Sequence, residues 1–296
     1  MKWLFSLIYA FSSAVIFAQI DPFPSKQEGL IWKISGNGLT EDSYVFGTMH
    51  MMDAKHYLFP KTLDSLVRQS DELVMELGEL PDPIKTLNLM TLKEGSFFDY
   101  FTKKETKVII QWAQFNLNFD EKLFRSMVDK LKPFAVVQLT TQLTFNDETY
   151  SYELELYSIS KAANLPILGL ETVAKQIGFF DQLPKEEQKK MVLSSLQPKE
   201  VILAEMGQLQ SMYLTENIDS IYLYIQGQEK RSGLSMDKLL DNRNEKWIDA
   251  LTRKLSENKR LFVAVGAGHL GGTKGLIRSL QEEGYQLTPI LLKSLK

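Results

Sequence analysis

Apolar residues in this chain form two kinds of run: short blocks bounded by glycine, and longer stretches at helical spacing. Gly29 to Gly36 (GLIWKISG) and Tyr44 to Thr48 read as strands joined through a Gly36-Asn37-Gly38 turn. Pro60 to Gln69 has helical spacing, with Pro60 where a first turn accepts it and Leu63, Leu66 and Val67 on one side. Glu72 to Leu77 (ELVMEL) is a short apolar block of the buried-strand type, with one carboxylate, Glu76, inside it.

From Pro83 to Thr144 the pattern is mainly helical. Leu87, Met90, Ile109, Trp112, Ala113, Phe115, Leu123, Phe124, Met127 and Leu131 supply its apolar positions. Tyr150 to Ala163 predicts a further helix, and Pro166 to Leu170 a strand ending in Glu171. Lys185 to Gly227 is helical again, with Pro198 opening a new segment. Arg243 to Leu255 predicts an amphipathic helix and Leu261 to Val265 a strand. Thr273 to Glu283 predicts a helix closed by Gly284, and Gln286 to Leu292 a last strand. The two ends mirror each other: each offers a strand, a Gly-x-x-His, a helix and another strand.

The first residues, MKWLFSLIYAFSSAVIFA, have one lysine ahead of an apolar run shorter than the roughly 20 residues a bilayer span requires. They read as a signal peptide over 1–18, which predicts export to a periplasm or the exterior and no stable membrane span afterwards. Residues 19–296 then form a single domain, with helical insertion around 83–150 and 176–230. With 34 basic and 37 acidic residues there is no basic stripe of the kind nucleic acid demands. Cysteine is absent, so neither a disulfide nor a thiolate is available. Any metal must be held by imidazole and carboxylate.

Only three histidines occur, and two sit in matching frames, Gly47-Thr48-Met49-His50 and Gly266-Ala267-Gly268-His269. In open α/β sheets, ligands bind where strands end at their carboxyl side, and a glycine there lets the backbone turn closely. His56 has no such frame and reads as a surface residue. The stretch from Gly266 to Gly271 also satisfies G-x-G-x-x-G, but a dinucleotide site needs an acidic residue about 20 positions on. Leu291 stands there. Glu76 in an apolar strand must be paired, hydrogen-bonded or cation-bound. No H-E-x-x-H, G-x-S-x-G or phosphate-binding P-loop is present.

These residues together resemble the TraB/GumN proteins, to which the Tiki metalloproteases are related. The resemblance spans nearly the whole mature chain. It rests on FGTMH (Phe46 to His50), VMEL with Glu76, YELELYSISKAANLPILGLET (Tyr152 to Thr172), RNEKW (Arg243 to Trp247) and VAVGAGHLGG (Val263 to Gly272). It implies an α/β (α+β) fold with a mixed central sheet carrying both Gly-x-x-His motifs, flanked by helices with a mainly helical insertion. It also implies divalent-metal-dependent peptide hydrolysis. His50 and His269 fall on the paired histidines, and Glu76 on the acidic residue of the next strand. Glu153 falls where many relatives have Asp, while Glu171, Arg243 and Asn244 match outright.

The expected site therefore has His50, His269 and Glu153 holding a divalent transition metal (Zn, Mn, Co or Fe). Glu76 is the expected base, Arg243 steadies charge, and Glu171 with Asn244 orient the others. The exchange of Glu76 and Glu153 stays open. The substrate expected is a peptide or protein. The alternative is a non-catalytic envelope protein that captures a peptide signal or haem in the same pocket.

Overall fold

The structure, a computed structural model, describes residues 28–144, 149–229, 234–235 and 237–295. The expected signal peptide lies outside the described residues. A mixed six-stranded sheet runs β6-β4-β7-β2-β1-β8. Its strands are β1 (Ile31–Ser35), β2 (Ser43–Thr48), β4 (Glu72–Leu77), β6 (Ile167–Glu171), β7 (Leu261–Gly266) and β8 (Gln286–Ile290). β6, β4, β7 and β2 are parallel neighbours, whereas β1 is antiparallel to both β2 and β8. A separate ribbon pairs β3 (Met52–Asp53) with β5 (Thr149–Tyr150).

β7 lies between two parallel partners, and all six of its residues are buried, as its unbroken LFVAVG predicts. Successive residues go to opposite faces. Phe262 and Ala264 join a core with Phe46, Leu73, Met75 and Tyr152 on one face. Val263 and Val265 join Val45, Val74, Trp247, Leu251 and Leu276 on the other. The first face is covered by α1 (Lys61–Arg68) and α6 (Tyr152–Ala163), the second by the helices Asn242–Leu255 and Leu276–Glu282.

A third core belongs to helices, gathering Phe97, Ile109, Trp112, Phe124, Phe134, Ile177, Phe180 and Met191. It is built from α2 (Pro83–Met90), α3 (Lys103–Leu117), α4 (Glu121–Val128), α5 (Pro133–Thr144), α7 (Val173–Asp181) and α8 (Lys185–Ser195). Side-chain caps open most of these helices. Asp82, Thr102, Asp120 and Thr172 each accept a backbone N–H, which satisfies a donor the helix itself cannot. α9 (Lys199–Thr215) and α10 (Ile218–Gly227) lead back to the sheet, where the Tyr213 hydroxyl donates to Gly47 O at 2.8 Å.

Three details differ from the sequence reading. Leu87, Phe115 and Leu123 are 57, 84 and 45 % exposed, because each falls off the buried side of its helix: α2 buries Thr86, α3 buries Ile109, Ile110, Trp112 and Ala113, and α4 buries Phe124 and Val128. The helix expected from Thr273 begins at Leu276. Gly275 packs so closely on the carbonyls of Leu270 and Gly271 that a Cβ there would lie 2.2 Å from each, so Thr273 and Lys274 stay in a turn. The last strand ends at Ile290, after which Glu216 accepts the backbone N–H groups of Leu292 and Lys293 and folds the chain into a short turn. Among the described residues no helix is long and apolar enough to cross a membrane.

Candidate functional site

Four parallel strands end side by side, and each end delivers one of the expected residues. Along the sheet edge these are Glu171 from β6, Glu76 from β4, His269 just past β7 and His50 just past β2. Parallel pairing places all four carboxyl ends on the same edge, which is why residues from distant parts of the chain meet. The remaining three arrive on helices: Glu153 in the first turn of α6, and Arg243 with Asn244 at the start of Asn242–Leu255. A cavity of about 370 Å³ separates this edge from the helical lobe. Its lining includes His50, Glu76, Glu171, Arg243 and His269 on one side and Phe134, Phe180, Met191 and Leu234 on the other.

On the β2 side, His50 Nδ1 lies 2.8 Å from Glu153 Oε1. The same oxygen accepts the Thr48 hydroxyl at 2.5 Å, and Glu153 Oε2 accepts the Ser151 hydroxyl at 2.8 Å. Both oxygens of Glu153 are therefore engaged behind the imidazole. Burial pulls the His50 pKa down, but the charge and hydrogen bonding of Glu153, with Glu76 adding to them, outweigh it and hold the value above the ordinary histidine range.

On the β7 side the partner is neutral. Asn244 Nδ2 donates to His269 O at 3.1 Å and to Lys274 O at 2.9 Å, which uses both its hydrogens. Its Oδ1 must then accept from His269 Nδ1, 2.7 Å away. That fixes the proton on Nδ1 and leaves the Nε2 lone pair facing the Arg243 Nη1–H at 3.2 Å. Burial and the Arg243 charge push the His269 pKa down to about 3, so this ring is neutral at ordinary pH. The indole of Trp247 lies against it, with ring centroids 4.4 Å apart.

Glu76 and Arg243 join the two sides. Glu76 Oε2 accepts from Arg243 Nη2 at 2.6 Å and from Gln176 Nε2 at 3.2 Å, while Oε1 accepts the Gly266 N–H at 3.0 Å. Burial alone would raise its pKa, but Arg243, His269 and His50 with the Gly266 N–H lower it to about 2. Arg243 also donates through Nε to Glu171 Oε2 at 3.1 Å, and its guanidinium lies 4.6 Å over the Trp247 ring.

The convergence point is Gly266. A Cβ on this residue would stand 3.4 Å from Glu76 Oε1, 3.8 Å from the His269 ring at Cδ2 and 3.8 Å from His50 Nε2. The glycine leaves open the volume on which the two imidazoles and the carboxylate look. The donor chemistry there fits a divalent transition metal: His50 and His269 each turn Nδ1 to a hydrogen-bonding partner and Nε2 forward, the arrangement that orients metal-binding histidines. As the side chains stand, no group of three His, Asp or Glu among the described residues is arranged to hold an ion.

Three contributors escaped the sequence reading. Thr48 stands inside the Gly-x-x-His frame, and Ser151 is the N-cap of α6 two residues before Glu153, so both positions carried a signal. Gln176, on an ordinary-looking face of α7, carried none.

No curated protein and no solved structure matches the chain. Residues 30–289 match the family model described as the TraB/PrgY/gumN family. That match covers nearly the whole chain and takes in both Gly-x-x-His frames, Glu76, Glu153, Glu171 and Arg243 with Asn244; the chain belongs to the TraB/PrgY/gumN family.

Proposed function

We propose that this chain is an exported, metal-dependent hydrolase acting on peptide bonds, with its reaction centre at Gly266. The observation that carries this reading is the convergence of His50 Nε2, the His269 ring and the Glu76 carboxylate on the volume a Cβ of Gly266 would fill. His50, His269 and Glu76 would hold a Zn, Mn, Co or Fe ion. Such an ion supplies a water of lowered pKa and polarises a carbonyl. Of the two carboxylates left open above, Glu76 takes the third donor place. A carboxylate with a pKa of about 2 is a weak proton acceptor and a fully ionised donor. Glu153, engaged by two hydroxyls, holds the His50 ring from behind.

The remaining residues divide the work by position. Asn244 fixes the His269 tautomer. Glu171 holds the Arg243 guanidinium at the cavity wall, where it faces negative charge developing on a substrate oxygen. The apolar wall of Phe134, Phe180, Met191 and Leu234 excludes water and receives apolar parts of the substrate. The same wall favours a second reading, capture of a peptide signal or haem without turnover.

The deciding experiment measures the metal content of the mature protein purified without chelator, beside His50→Ala and His269→Ala, and then exposes each to a broad peptide library. Metal in the wild type alone, with peptide cleavage, is the expected result. A wild type that takes up no transition metal sinks the hydrolase reading. Bound metal with an intact library moves the capture reading ahead. A Soret band on adding haem, lost in His50→Ala, would select haem.

A further inference from the structure

Arg243 donates four hydrogen bonds, and its Nη2 stands in a further ion-pair contact with Glu171. Nε donates to Glu171, Nη2 contacts Glu76 at 2.6 Å and Glu171 at 3.0 Å, and Nη1 reaches Leu239 O and His269 Nε2, each at 3.2 Å. A guanidinium offers five such hydrogens in a fixed fork. Two of the acceptors, the His269 Nε2 lone pair and the Glu76 carboxylate, are the donors that the metal reading assigns to the ion. Glu171 is the acceptor outside that set, and it meets the guanidinium twice.

A metal ion and this guanidinium compete for the same two groups, and two unshielded cations in a buried site repel strongly. We infer that Arg243 is a resident counter-cation: metal enters by displacing its guanidinium from His269 Nε2 and Glu76, and Glu171 retains the displaced group at the cavity wall. The inference rests on the metal reading given above. It accounts for two features at once. Without metal, Glu76 and Glu171 would be buried carboxylates lacking a counter-charge, and Arg243 supplies it. With metal, the Nε and Nη2 contacts to Glu171 leave the guanidinium facing the cavity, available to a substrate oxygen. Arg243 thus sets how tightly metal is held as well as steadying charge.

The test is Zn²⁺ affinity of the metal-stripped mature chain, measured by competition with a chromophoric chelator, in wild type, Arg243→Gln, Arg243→Lys, Glu171→Gln and the Arg243→Gln/Glu171→Gln pair. Arg243→Gln should bind Zn²⁺ at least about tenfold more tightly than wild type, equivalent to about 1.4 kcal/mol. Arg243→Lys, which keeps the charge and loses the fork, should fall between them. Glu171→Gln alone should weaken binding about tenfold, because the guanidinium then holds harder to Glu76, and should do nothing of the kind once Arg243 is Gln. Thermal unfolding and circular dichroism establish that each variant is folded, and if Arg243→Gln is not, Arg243→Lys carries the comparison. Variants that bind Zn²⁺ no more tightly than a metal-binding wild type overturn the inference and leave the metal reading standing. Absence of Zn²⁺ binding from wild type and variants alike overturns both.

Discussion

His50 and His269 leave neighbouring parallel strands through the same Gly-x-x-His frame, yet the protein gives them opposite proton affinities. Both are buried, so desolvation acts on both in the same direction, against the charged ring. The difference comes from what stands behind Nδ1. His50 backs onto the carboxylate of Glu153, whereas His269 backs onto the amide of Asn244 and faces a guanidinium. The frame sets where an imidazole is delivered, and the partner on its far nitrogen sets its charge. A site with one imidazole drawn toward protonation and one held neutral has an electrostatic direction that two identical motifs do not reveal.

The largest expected effect erases the comparison by removing what the two rings share. Gly266 has φ −53°, which any residue adopts, and a Cβ there meets its neighbours at ordinary contact distances. Gly266→Ala should therefore fold with a thermal midpoint within about 3 °C of wild type. It should nonetheless lose about 10²-fold or more in metal affinity and turnover, because the added methyl fills the point of convergence. Calorimetry beside a Zn²⁺ titration checks this, and an Ala variant that binds Zn²⁺ as wild type does would remove Gly266 from the centre.

Much of this geometry was legible in the chain. LFVAVG is apolar along its whole length and ELVMEL is apolar except at Glu72 and Glu76, a pattern that strands covered on both faces need, and β7 and β4 both lie in the sheet interior, with Glu76 near the carboxyl end of β4. The glycine-histidine frames marked strand ends. What stayed hidden depended on contacts far apart in sequence. Nothing local to Gln176 announces Glu76, one hundred residues away. Phe115 reads as core by type and is 84 % exposed, because the apolar stripe of a helix is set by what packs on it. The TKG turn before Leu276 reads as helix until Gly275 meets the carbonyls of Leu270 and Gly271.

Next in size are changes at Asn244. Asn244→Leu removes the acceptor for His269 Nδ1 and the donors to His269 O and Lys274 O, leaving buried groups unpaired. It should cost about 2–4 kcal/mol in denaturant unfolding. Asn244→Asp instead gives His269 a carboxylate like that behind His50, and the His269 pKa should climb from about 3 toward the ordinary histidine range. Ring chemical shifts followed against pH decide it, and an unmoved His269 titration would show that Nδ1 does not set the charge. The converse change, Glu153→Gln, should lower the His50 pKa in the same spectra and weaken metal binding about 10- to 100-fold.

The pH dependence of folding stability in the metal-free protein sharpens the same comparison, and its sign follows from linkage. His269 has a folded pKa depressed to about 3 from 6.5, so below pH 6.5 the unfolded chain takes up a proton the folded one refuses, and stability falls as pH falls toward 3. Glu76, depressed from 4.5 to about 2, adds a second loss that begins near pH 4.5 and deepens toward pH 2. His50 works the other way. Its folded pKa is raised, so its contribution is complete below pH 6.5 and disappears as pH climbs through the folded value. The two histidines therefore tilt the profile in opposite directions about pH 6.5, and together they produce a maximum near there. Urea midpoints measured from pH 3 to pH 9 test this. His269→Gln should flatten the acid limb above pH 4.5, and His50→Gln the alkaline limb. If both substitutions flatten the same limb, the two frames are electrostatically alike and the asymmetry argued from Glu153 and Asn244 is wrong.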